Sequence, residues 1–182
     1  MFVIEPQREL AEAIARLGIP DVEVLAASLA GQESFGRFDA VLSCPLGLPA
    51  WPVDRYGFVL AANLRPGGRF LIDLPSPSCS PDLEAACRAV FGNGESLEAL
   101  RGPSGGDLAA SLSGAGLRAV KEHLAAHLLD LESAHDLAAL FAPALPAMAS
   151  RLDEIGVALS SRLLTNGRIQ ARVIRTRVLG RL

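Results

Sequence analysis

Apolar residues in this chain come in short dense runs, separated by Gly, Pro and charged residues. Phe2-Val3-Ile4 has the compact form of a buried strand. Pro6 suits a first helical position. Leu10, Ile14 and Leu17 then recur at helical spacing, and Gly18 suits the stop. Residues 22–25 predict a second strand, 26–36 a loop and Phe38–Ser43 a third strand. Asp54 is expected to cap a helix running to Leu64, and Pro66-Gly67-Gly68 to turn the chain into a strand over 69–74. From 75 to 106 the regularity loosens into a lid or an irregular connection, with one helical stretch near 82–90. A short helix over 107–115 ends at Gly116, and 118–128 contains a strand. Ser133-Ala134-His135-Asp136 has the spacing of a helix start, and Leu137, Leu140 and Phe141 supply its apolar face. Pro146 can open another helix with Met148, Leu152, Ile155 and Leu159 on one side. Asn166-Gly167 turns into a strand over 168–179. There Ile169, Ala171 and Val173 share one face, but Ile174, Thr176 and Val178 share the other. A β-bulge would explain that change of phase, as would cover on both faces.

Strands alternating with helices predict an α/β fold with a doubly wound, mostly parallel sheet. No repeat and no linker divides the chain, so residues 1–182 are expected to form a single domain. The length of 182 residues fits that expectation. Half the residues are apolar and 20% are charged, an ordinary globular balance. A net charge of -3 gives no support to a nucleic-acid partner. The longest apolar stretch, 40–53, is broken by Pro45, Pro49 and Pro52 and is too short for a membrane span. The start lacks a basic segment followed by an apolar run, so no signal peptide is expected. Cys44, Cys79 and Cys87 are odd in number and irregularly spaced, which fits neither a disulfide framework nor a zinc pattern. A reducing, cytoplasmic setting is the expectation.

Phe38-Asp39-Ala40-Val41-Leu42-Ser43 and Leu64-Arg65-Pro66-Gly67-Gly68-Arg69-Phe70-Leu71-Ile72-Asp73-Leu74, in this order and separated by a helix, resemble the middle of a class I S-adenosylmethionine (SAM)-dependent methyltransferase. The resemblance covers nearly the whole chain. The stretch 127–140, with Leu129-Asp130-Leu131-Glu132-Ser133, is similar to small-molecule methyltransferases, those acting on carboxylates above all. The resemblance implies a Rossmann-like sheet with an antiparallel C-terminal strand, which binds SAM at the carboxyl ends of its strands and passes a methyl group to a small-molecule acceptor. In the family a glycine-rich loop follows strand one, and an acidic residue about twenty residues later accepts the ribose hydroxyls. By resemblance Glu5 is that acid, so the first strand, its helix and the glycine loop are expected to be missing from this chain. The adenine-side position falls at Ala27 or Ser28, where the family often has Asp. Ser43, Cys44 and Pro45, continuing into Leu46 and Gly47, would line the methyl-donor pocket. A strand missing between neighbours about 4.8 Å apart leaves a gap of two spacings. The outer strands could close it by pairing directly, another chain could fill it, or the natural protein could be longer. The bared sheet face predicts a homodimer. The alternative reading is a non-catalytic binding or assembly module of the same fold, and a nicotinamide-cofactor Rossmann protein is a third.

The remaining candidates read as structural. Cys44 has no identifiable partner base, so a plain buried thiol is expected. His123 and His127 stand four apart and would bind one metal from a helix. In a strand the same spacing separates them by about 13 Å, and no metal is expected. Arg168, Arg172, Arg175, Arg177 and Arg181 are expected to solvate a sheet edge. Trp51 and Tyr56 read as core rather than as a substrate wall, and Asp54 as a cap rather than a general base.

Overall fold

The computed structural model describes residues 1–5, 8–26, 34–43, 53–92, 97–142, 145–165 and 168–182. The chain opens with strand β1 (Phe2–Glu5), helix α1 (Arg8–Arg16) and strand β2 (Glu23–Ala26). Gly18 ends α1 at φ 60°, with its N–H donating to Ala15 O at 3.1 Å. β1 and β2 run parallel, Glu5 level with Ala26.

β3 (Phe38–Ser43), α2 (Val53–Asn63) and β4 (Leu64–Pro75) follow. The segment before β3 is stapled to the end of α2. Phe35 N donates to Asn63 Oδ1 at 2.7 Å, and Arg37 donates to the carbonyls of Ala61 and Leu64. β4 includes the Pro-Gly-Gly turn. Phe38 pairs with Leu64, but Ala40 pairs with Arg69, so residues 65–68 bulge out while the strand continues. Gly67 takes φ 76° there, a left-handed conformation that glycine adopts without strain. Asp54 lies in the first turn of α2.

Helices α3 (Pro81–Phe91) and α4 (Gly105–Gly114), with a 3-10 turn at Glu98–Leu100, fill the irregular region. α4 starts two residues earlier than expected and is capped by Ser104, whose Oγ accepts from Asp107 N. Then come β5 (Arg118–Leu131), α5 (Ala134–Phe141), α6 (Pro146–Ala149), α7 (Leu152–Leu163), β6 (Leu164–Thr165) and β7 (Arg168–Arg181). Ser133 N donates to the Asp136 carboxylate at 2.8 Å, as the start signal predicts. The expected helix after Pro146 is two, broken at Ser150 and Arg151, yet Met148, Ile155 and Leu159 are all buried.

The hydrogen-bonded order is β3-β4-β7-β5, with β6 also pairing β7; β1 and β2 form a separate pair. β3 and β4 are parallel, while β7 runs antiparallel to both β4 and β5. This is a mixed α/β sheet of Rossmann-like type with its reversed strand inside. The single continuous sheet expected from sequence is replaced, among the described residues, by two. The outer strands do not close up by pairing with each other.

β7 corrects a second expectation. It is not a solvated edge but lies between β4 and β5. Its first half turns Ala171 and Val173 toward a cluster built from α3, α5 and α7. Its second half turns Val178 toward a cluster on the other face, with Tyr56 and Leu60 of α2 and Leu108 and Leu112 of α4. Cover on opposite faces in its two halves is the reason for the phase change. The register shift lies instead on β5, between Ala119 and Lys121.

The α1 face is a third difference. Ala11 is buried, but Leu17 is 69% exposed and Leu10 is also exposed. On the body, Leu42 of β3 (65% exposed) is level with Leu71, which in turn opposes Leu179. These three leucines lie on the sheet face turned away from α2 and α4.

Candidate functional site

In parallel α/β sheets the chemistry gathers where strands end, because helix starts and loops converge there. The C-terminal ends of β1 and β2 hold Glu5 and Ala26 side by side. Glu5 is half-buried there, so a carboxylate does stand at the end of β1. Ala27, Ser28, Cys44 and Pro45, together with Leu46, Gly47 and Trp51, lie outside the described residues. Ser43 closes β3 opposite Ile72. It is half-buried beside Tyr56, which is fully buried on α2. Burial pushes the Tyr56 phenol far above its ordinary value. The Ser43 hydroxyl and the Arg175 charge pull against that without overcoming it. Tyr56 is thus a neutral core residue at physiological pH.

The densest polar arrangement is one that periodicity does not reveal. Asp73 on β4 is 7% exposed. Its carboxylate accepts from Arg175 Nε and, at 2.7 Å, from Arg177 Nε. Arg177 also reaches His127 Nε2 of β5 at 3.0 Å. Pairing explains the gathering: Asp73 opposes Arg177, and Arg177 opposes His123, so all three side chains share a face. Burial alone would raise the Asp73 carboxyl, but hydrogen bonds from both arginines and their charges outweigh it and hold it below its usual range. The one signal in the sequence was a charge inside the apolar run Phe70–Leu74. Nothing there named its partners about a hundred residues away.

The histidines are dispersed. His123 and His127 lie on a strand, as the residue pattern predicts, and His135 sits on α5, 3.6 Å from Asp153. No group of three His, Cys, Asp or Glu able to hold a metal occurs among the described residues. Cys79 and Cys87 are buried free thiols, and burial raises both, Cys87 to about 11. Neither is a ready nucleophile. Among the described residues no helix is long and apolar enough to cross a membrane.

An open cleft of about 870 Å³ lies between the two sheets, lined by Met1, Asp21, Val22, Glu23, Phe35 and Phe38. These residues precede or begin β1, β2 and β3. The cleft therefore opens at the starts of the strands, opposite the end where such sheets take their ligands. Glu5 and Ser43 do not line it.

Strand order, mixed pairing and flanking helices define a Rossmann-like α/β protein. More narrowly, it is a class I SAM-methyltransferase-like fold, as comparison with solved structures shows. No family model matches the chain, and no curated protein matches it by sequence. The YcgJ protein of Bacillus subtilis matches with a TM-score of 0.60 at 14% identity, over 99% of this chain and 81% of that one. The cyclopropane synthase MmaA2 of Mycobacterium tuberculosis matches with a TM-score of 0.57 at 11% identity, over 100% and 69%. A SAM-dependent methyltransferase of Thiobacillus denitrificans, solved with S-adenosyl-L-homocysteine, matches with a TM-score of 0.51 at 20% identity, over 98% and 74%. Identities this low carry the fold and not the activity.

Proposed function

We propose that this chain is a SAM-dependent methyltransferase-like protein that transfers a methyl group to a small-molecule acceptor once a glycine-rich segment completes its cofactor site. The observation that carries the reading is the mixed sheet β3-β4-β7-β5 with β7 reversed and a parallel β1–β2 pair, in a fold similar to the solved structures above. Glu5, half-buried at the end of β1, has the chemistry to accept two ribose hydroxyls. Ser43, at the end of β3, offers a hydroxyl toward the donor side. Ala27, Ser28, Cys44 and Pro45 belong to the same reading by position alone. The fit is partial: the sequence contains no Gly-x-Gly-x-Gly run to bring backbone N–H groups close to a cofactor tail. SAM bound there would supply a sulfonium methyl group. The protein's part is to align the acceptor and exclude water, which requires no dedicated catalytic side chain. A cytoplasmic protein acting on a small molecule, with neither nucleic acid nor membrane as partner, accords with the composition.

The second reading is a non-catalytic binding or assembly module, and the row of exposed Leu42, half-buried Leu71 and exposed Leu179 favours it. Calorimetric titration with SAM, on this chain and on one extended by any in-frame upstream coding sequence, separates the two. The expected result is weak or no binding by the chain alone and micromolar binding by an extended form carrying a glycine-rich loop, lost in Glu5→Ala. Failure of both forms to bind would leave the module reading standing.

A further inference from the structure

The strand order ends on β5, a strand of 14 residues with only one neighbour. β7 pairs one side of it from Arg118 to Leu131, and no strand pairs the other side among the described residues. An open edge invites another chain, and proteins usually guard it with charge, proline or a bulge. Here the bulge, Lys121 and Glu122 guard the beginning of the strand, and Asp130 stands near its end. Inside these limits Leu124 and Leu128 are 68% and 69% exposed, on one face, with exposed Ala126 between them. No proline or glycine interrupts this stretch. It is also well over twice the length of an ordinary strand of about 5–6 residues.

We infer that β5 is a self-association edge, at which a second copy of this chain pairs antiparallel about a two-fold axis through Ala126. The occupant is argued from the sequence of the edge. A two-fold axis perpendicular to the sheet keeps each side chain on its own face, and it makes the contact isologous. With the axis at Ala126, Leu124 opposes Leu128 of the second copy, Leu128 opposes its Leu124, and the two Ala126 residues meet. Any shift of register leaves at least one of these leucines opposite a different residue type. The leucines then form two cross-strand pairs, about 13 Å apart on either side of the paired alanines, over a continuous sheet, and the edge backbone groups find partners. The same axis sets Glu122 opposite Asp130, a like-charge pair at each end. Asp130 is held by its own chain, while Glu122 is exposed. Glu122 lies against Gly105 at the start of α4, and Asp130 accepts from Gln170 at 2.8 Å. The residual repulsion is screened by salt, so this contact tightens as ionic strength rises. The inference stands apart from the cofactor reading, and it uses a different surface from the Leu42 row.

Sedimentation equilibrium on the full chain tests it. The chain is expected as a dimer of twice 19.1 kDa, with a dissociation constant that falls on the order of threefold between about 0.05 and about 0.5 M salt. Leu124→Arg with Leu128→Arg is expected to give a monomer with an unchanged circular dichroism spectrum, because both leucines are already in solvent. Leu42→Arg is expected to leave the dimer intact. As a positive test, Ala126→Cys should cross-link across the axis on mild oxidation, since opposed strand residues lie about 4.5–5.5 Å apart. The unsubstituted chain should stay uncross-linked. A monomeric chain, a dimer that survives the double arginine variant, or one dissolved by Leu42→Arg would overturn the inference.

Discussion

The β1–α1–β2 unit and the body around β4 and β7 are built from similar strands but rest on different supports. In the body, each central strand has a neighbour on both sides, and two clusters of buried side chains clamp its faces. In the unit, two four-residue strands pair, among the described residues, only with each other, and Ala11 is the one buried side chain of the helix. Leu10, Leu17, Ile19 and Leu25 remain exposed. A two-stranded sheet with one helix is marginal by itself, since it has too little apolar area to offset its ordering. The alternation of strand and helix specifies local structure equally well in both regions. It does not specify what the finished element will lean on.

The largest expected effect lies in the body. Asp73→Ala would leave Arg175 and much of Arg177 buried without their counter-charge, at a cost of about 3–5 kcal/mol. Urea unfolding followed by circular dichroism measures it, and a loss below about 1 kcal/mol would mean that water already serves these groups. The pH dependence has a fixed sign. The native Asp73 carboxyl is held below its unfolded value of about 3.9, so its contribution is fully present above that pH. It is lost as pH falls from there through the lower native value. Asp73→Asn is expected to flatten the acid side of the stability curve in that window and nowhere else.

How much of this was legible in advance follows the same division. Local signals held: Gly18 stops α1, Ser133 and Asp136 start α5, and β5 is a strand carrying His123 and His127 on one face. So did the antiparallel C-terminal strand that the resemblance implied. Long-range placement did not. The five arginines near the C-terminus read as an exposed edge because alternation cannot say which strands will flank β7. Asp73, about a hundred residues earlier, meets Arg175 and Arg177 only when β4 and β7 pair. Nor could alternation say that β1 and β2 would pair apart from the larger sheet. For the candidate site, Glu5 and Ser43 do stand at strand ends, but no periodicity could report that the open cleft would form at the opposite end.

A middle-sized effect probes how tightly the body is closed. Gly57 of α2 crosses α4 at Ser111, whose hydroxyl accepts from Gly57 N at 3.0 Å. A β-carbon at Gly57 would overlap the Ser111 carbonyl and crowd Ala115. Gly57→Ala is expected to cost about 1–3 kcal/mol by forcing the helices apart, well above the small gain that alanine brings to a helix. A stability equal to that of the parent would show that α2 and α4 slide freely, and the contrast with the β1–α1–β2 unit would shrink.

The smallest effect is the sharpest test of the contrast itself. Leu17 sits just past α1 with most of its surface in water, so Leu17→Ser is expected to change global stability by no more than about 0.5 kcal/mol. Hydrogen exchange should give the complementary view. Amides of β1 and β2 should exchange through local opening, well before those of β4 and β7, which wait for global unfolding. The two measurements belong together, because a unit that opens on its own cannot pass the loss of a contact to the body. If Leu17→Ser costs about 2 kcal/mol or more, or if β1 amides are as slow as those of β4, then the unit and the body open as one. The cleft between the sheets would then be a fixed feature of a rigid molecule, and Glu5 would be held in one position relative to Ser43.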